Sequence, residues 1–282
     1  MDDCSRQLPV LKEGFLDNPW VKKWHCFSMK VKITPILMSG IVGLVTVAII
    51  PIVALGDRSE TGEVDSALAQ KSLFDRTRLI TVKIFGEESW GSGIIIEREG
   101  AEYTVLTNDH VLRNDVGEYQ IETADGQIHL ARPEAVKFEH YDLAIIKFSS
   151  AVEYAVATLG NSDSLQEGEK VVAGGFPFGD KGLKYTEGQI GLILAKSLVD
   201  GYQIGYTNEI EKGMSGGPVL NLDGEVIAIN GIHAHPLWGE PYLYEDGEQP
   251  SGEMGQRMKD YSWAIPINKF SQIALGAQLG VH

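Results

Sequence analysis

Beyond residue 60 the chain alternates short apolar runs with turn signals, and no other feature narrows its fold as much. Runs rich in β-branched residues, such as Leu79-Ile80-Thr81-Val82-Lys83-Ile84-Phe85, Lys170-Val171-Val172-Ala173 and Pro218-Val219-Leu220, recur between Gly, Asp and Asn clusters. Asp223-Gly224, with apolar residues on both sides, is the clearest hairpin signal. A long helical period is missing from this region except in the tail, where Ile267, Phe270, Ile273 and Ala274 fit one face of a short terminal helix. The pattern is that of an all-β domain. With 282 residues and 43% hydrophobic content, the chain can build one sizeable globular unit but not two large ones.

Three short motifs carry the chemistry: Thr107-Asn108-Asp109-His110-Val111, Tyr141-Asp142-Leu143-Ala144 and Gly213-Met214-Ser215-Gly216-Gly217-Pro218. A serine hydroxyl is a poor nucleophile at neutral pH. It needs an imidazole to take its proton and a carboxylate to hold that imidazole in the right tautomer. His110 follows the apolar run Tyr103–Leu106, so it sits where a strand ends and a loop or short helix begins. Asp142 stands immediately before the apolar run Leu143–Ile146, at the rim of a core. Ser215 lies among Gly213, Gly216 and Gly217, where missing Cβ atoms let the backbone turn its N–H groups toward one point, as an oxyanion hole requires. Asp109 is the weaker candidate for the orienting acid, because adjacent residues in extended chain point to opposite faces.

With these residues in view, the chain resembles the trypsin-like serine proteases, most closely the bacterial branch that includes the high-temperature-requirement (Deg/Htr-type) proteases. Gly91-Ser92-Gly93-Ile94-Ile95-Ile96 resembles the strand before the histidine, and Gly174-Gly175-Phe176-Pro177-Phe178-Gly179 a turn early in the second half. Gly224–Asn230 and Trp263–Asn268 resemble the two strands after the serine. The resemblance implies two six-stranded antiparallel β-barrels with the active site between them and a short C-terminal helix. It assigns the first barrel to about residues 72–150, the second to about 155–268 and the helix to about 267–278. It also implies a triad of His110, Asp142 and Ser215, with the Gly213 and Ser215 amides forming the oxyanion hole. Substrate would be bound by Glu209, Asp260, Asn230 and Gly231, the two acids favouring Lys or Arg on the acyl side of the scissile bond. Met214 stands where zymogen-type relatives carry an aspartate, so activation by insertion of a new N-terminus is not expected. Ile41-Val42-Gly43, which imitates such a terminus, lies inside an apolar span.

The remaining features bound the setting. A net charge of −15 disfavours nucleic acid and anionic lipid head groups as partners; polypeptide substrates are what the resemblance implies. Ile33–Leu55 contains no charged side chain, and about 23 residues at ~1.5 Å per residue span the ~30 Å core of a bilayer. Lys22, Lys23, Lys30 and Lys32 precede it and acids follow, which keeps residues 1–32 in the cytoplasm and puts the protease outside. A start at Met29 would instead make the same run the core of a cleavable signal peptide, with Ala54-Leu55-Gly56 at the cleavage point. Residues 56–71, polar and small, read as a linker, and 72–282 as the protease domain, with no trailing peptide-binding domain. Cys4 and Cys26 both precede the apolar run, so no disulfide braces the barrels. No cofactor or metal is expected: His233 and His235 lack further ligands at metal spacing, His140 reads as a surface residue, and Ser92 serves backbone geometry. Oligomeric state is open. The competing functional reading is a catalytically silent protease fold that binds unfolded polypeptide or a partner.

Overall fold

The computed structural model describes residues 58–113, 118–136, 138, 140–179, 182–232 and 242–276. Its strands form two closed antiparallel barrels. The first comprises β1 (Thr81–Phe85), β2 (Trp90–Glu99), β3 (Glu102–Thr107), β4 (Tyr119–Glu122), β5 (Ile128–Pro133) and β6 (Ala144–Ser149), closing in the order β1-β2-β3-β6-β5-β4. The second comprises β7 (Lys170–Gly175), β8 (Lys184–Ile193), β9 (Ile204–Tyr206), β10 (Pro218–Leu220), β11 (Val226–Ile232) and β12 (Ser262–Pro266), in the order β10-β11-β12-β9-β8-β7. The expected pair of six-stranded barrels is therefore what the chain builds. Asp223-Gly224 forms the predicted hairpin turn between β10 and β11, with Gly224 at φ +80°.

Strands β3, β6 and β12 read as apolar runs because both of their faces are largely buried. Along β3, Val105 points into the first barrel while Leu106 points into the seam between the barrels, and on β6 Ile146 and Ile145 divide in the same way. On β12, Ala264 fills the second barrel while Trp263 and Ile265 enter the seam. The two-residue period of a strand thus feeds two cores at once. Each fully buried Ile, Leu or Phe contributes about 1.5–3 kcal/mol, so the seam joins the barrels without a covalent brace.

Among the described residues there are four α-helices: α1 (Arg58–Ile80), α2 (Asp109–Leu112), α3 (Gly252–Met258) and α4 (Ile267–Gly276). α1 occupies a stretch whose composition reads as linker and then strand. Over its last two turns Leu73, Thr77 and Ile80 are buried at helical spacing, a stripe too short to stand out in the sequence. Arg76 Nη1 donates to the Asp223 carbonyl (2.7 Å), fixing the helix to the β10–β11 turn. α3 lies in a segment that reads as loop; Ser251 caps it, and its single buried residue, Met258, gives no periodic signal. α4 is the predicted tail helix, with Ile267, Phe270 and Ala274 buried. Among the described residues no helix is long and apolar enough to cross a membrane. Ile33–Leu55, both cysteines, Ile41-Val42-Gly43, His233 and His235 lie outside those residues.

Candidate active site

β3 delivers His110 to the barrel rim. The strand ends at Thr107, Asn108 is fully buried, and α2 begins one residue later. Asn108 Nδ2 donates to the Asp142 carbonyl (2.8 Å), which ties the end of β3 to the loop entering β6. The His110 backbone N–H donates to Asp142 Oδ1 (2.8 Å), and His110 Nδ1 lies 2.5 Å from Asp142 Oδ2. An ionised carboxylate only accepts, so Nδ1 carries the proton and Nε2 keeps its lone pair. The Asp109 side chain turns away to Arg113 Nε (2.6 Å), one helical turn on.

Asp142 is 3% exposed. Burial by itself would push its carboxyl up. Hydrogen bonding and charge from His110, and the Tyr202 hydroxyl donating to Oδ2 (2.5 Å), outweigh it and hold the carboxyl below the ordinary range. Asp142 is therefore ionised at neutral pH. Arg113 Nη2 stands 3.8 Å from Oδ1, close enough for Coulomb attraction but not for a hydrogen bond.

Ser215 sits in the loop between β9 and β10, packed against the end of β3. Gly216 takes φ +85°, and a Cβ there would lie 2.1 Å from the Ser92 carbonyl and 2.2 Å from Thr107 Oγ1, so only glycine lets the loop close onto the first barrel. Ser92 N–H donates to the Ser215 carbonyl (2.8 Å), while Ser92 Oγ donates to the Gly213 carbonyl (2.9 Å) and accepts from Phe176 N–H (2.8 Å). Ser92, expected to serve backbone geometry, is the stitch between β2 and the serine loop. Met214 is fully buried against Gly175. The amide N–H groups of Gly213 and Ser215 find no acceptor among the described residues. Ser215 Oγ donates to the Gly231 carbonyl (3.0 Å), and among the described residues it makes no hydrogen bond to His110.

The structure places the substrate-binding candidates differently from one another. Gly231 lies against Ser215 through its carbonyl. The Asn230 side chain is used inside the second barrel, accepting from Tyr206 Oη (2.6 Å) and donating to the Gly174 carbonyl (3.0 Å). Glu209 and Asp260 are both solvent-exposed. His140 is exposed, its ring 4.8 Å from that of Tyr141. No cluster of three or more potential metal ligands occurs among the described residues. Sequence reasoning quoted Asn108 within the histidine motif without giving it a role, and missed Tyr202. Neither carries a local signal, since each reaches Asp142 across a long stretch of chain.

Residues 91–229 match the family described as a trypsin-like peptidase domain. The chain is 34% identical over 178 residues to serine protease HTRA4 of Mus musculus, covering 60% of this chain and 34% of that protein. It is 38% identical over 146 residues to a probable periplasmic serine endoprotease, DegP-like, of Chlamydia muridarum, covering 50% of this chain and 27% of that one. The chain spans about a third of the length of the curated relatives it matches. In overall fold it is similar to the crystal structure of Deg5, with TM-score 0.55 and 22% identity, covering 74% of this chain and 93% of that one.

Proposed function

We propose, from the premise that this chain carries a trypsin-like peptidase domain homologous to the HtrA and DegP serine proteases, that it is a serine endopeptidase acting on polypeptides outside the cytoplasm. His110 is the general base, Asp142 its orienting acid and Ser215 the nucleophile. The observation that carries this reading is the Nδ1 to Oδ2 contact of 2.5 Å, which leaves Nε2 of His110 as the one free basic nitrogen of the ring. The first step is a rotation of the Ser215 hydroxyl from the Gly231 carbonyl to His110 Nε2. Nε2 then takes the proton as Oγ attacks the scissile carbonyl, and the unoccupied amides of Gly213 and Ser215 receive the oxyanion. His110 returns the proton to the leaving amine, and water releases the acyl group by the same route. The lysines before Ile33–Leu55 and the DegP-like relatives named as probable periplasmic proteases support this location.

Labelling with a fluorophosphonate tests the assignment. Wild type is expected to react and Ser215→Ala is not, while peptide turnover in Ser215→Ala falls by about 10⁴ to 10⁶ with the melting temperature held. A folded wild type that neither labels nor cleaves is a silent binding module, and the endopeptidase assignment then fails.

A further inference from the structure

We propose that Tyr202 is the positioning residue that keeps Asp142 aligned with His110, supplied by the second barrel to an acid of the first; the inference rests on the endopeptidase reading above. Two of the three donors to the Asp142 carboxylate, the backbone N–H and Nδ1, belong to His110 itself. The backbone N–H is fixed by the chain at the start of α2 but reaches only Oδ1, while Nδ1 rides on the imidazole that is to be oriented. The torsion that turns a carboxylate is soft, so Oδ2 needs a donor that does not move with the ring. The Tyr202 hydroxyl is, among the described residues, the third donor and the only one from outside that pair.

Its own position is secured at both ends. Tyr202 is 2% exposed, and its ring lies so close to Gly231 that a Cβ there would stand 2.0 Å from the ring edge. Gly231 is also the residue whose carbonyl holds the Ser215 hydroxyl, so one side chain touches the acid and the strand beside the nucleophile. The turn before it, Val199–Gly201, reaches from the second barrel to the first. The Asp142 N–H donates to the Asp200 carbonyl (3.0 Å), and the Tyr141 ring covers the Cα of Gly201. Burial and the neighbouring Asp142 charge push the Tyr202 phenol well above its ordinary value, so the hydroxyl stays a donor throughout the working pH range.

A tyrosine that only filled the seam would tolerate loss of its oxygen. Tyr202→Phe keeps the ring on Gly231 and deletes the one hydrogen bond. We expect kcat/KM to fall about 10- to 100-fold, nearly all in kcat, which corresponds to losing a hydrogen bond to a charged group. Without the phenol, the Asp142 charge is shared with one fewer donor and stabilises the imidazolium more strongly. The acid limb of the kcat/KM profile should therefore move to higher pH by roughly half a unit or more. Wild-type kcat and an unmoved acid limb in a folded Tyr202→Phe overturn the proposal. An NMR titration of the His110 ring in both proteins, below their melting temperatures, separates this failure from that of the parent reading. If wild type proves catalytically silent, a higher His110 midpoint in Tyr202→Phe still supports positioning, and identical midpoints refute it.

Discussion

At the scale of single residues the site is a hydrogen-bonded carboxylate and the groups it organises. Asp142 sits below the ordinary carboxyl range because His110 and Tyr202 together outweigh its burial. A group depressed in the folded state binds its proton less readily than in the unfolded chain. Its contribution to stability is thus complete above the unfolded value of ~3.9 and drains away as pH falls through the lower folded value. Asp142→Asn removes that linkage: the melting-temperature gap between wild type and variant should be widest at neutral pH and close as both are acidified below about pH 4. Turnover of the same variant should drop by about 10⁴-fold, since an amide can offer its own N–H to the imidazole and hold the wrong tautomer. The proposed trio His110, Asp142 and Ser215 could be picked out from the sequence because each stands at the end of an apolar run or inside a glycine cluster. Tyr202 was not, because one tyrosine among 10 has nothing local to announce a contact with an acid sixty positions earlier.

At the scale of elements, the turn at Val199–Gly201 does what no strand could, carrying main chain from one barrel to the acid of the other. Asp200 takes φ +66°, the only described non-glycine residue with positive φ, and Gly201 follows at +86° beneath the Tyr141 ring. Gly201→Ala would put a methyl 2.2 Å from that ring and strain the backbone. It is expected to cost about 1–3 kcal/mol in denaturant titrations and to lower kcat by more than the stability loss accounts for, because Asp142 moves with the turn. Equal kcat at a temperature where both proteins are folded would separate the turn from catalysis. The strands were readable from their β-branched runs and turn residues, and α4 from its stripe of Ile267, Phe270 and Ala274. α1 was not readable, since Leu73, Thr77 and Ile80 alone, one of them polar, make too short a stripe to show a sustained period.

At the scale of the molecule, charge and packing act on different steps. Glu209 and Asp260 are exposed, so any preference they give for a basic residue is screened. Paired peptides ending in Arg or Val before a reporter amide should differ most at low ionic strength and converge as salt is added; a preference for Val at every salt concentration removes the two acids from specificity. On the proposed assignment packing controls alignment instead, because Asp142 and His110 come from one barrel, Ser215 from the other, and Leu106, Ile145, Trp263 and Ile265 fill the seam between. Val105 and Leu106 are neighbours on β3, both fully buried, yet one faces the barrel interior and the other the seam. Val105→Ala should cost roughly 1–3 kcal/mol and Leu106→Ala roughly 2–5 kcal/mol. Where both variants are folded, only Leu106→Ala is expected to lose turnover, since a cavity in the seam lets the barrels settle by a fraction of an ångström, and sub-ångström displacement of a nucleophile from its base is costly. Urea titrations monitored by tryptophan fluorescence, set beside kcat measured in the folded baseline, make the comparison. Equal kcat losses in the two variants would mean that the seam transmits no more to the site than any other part of the core.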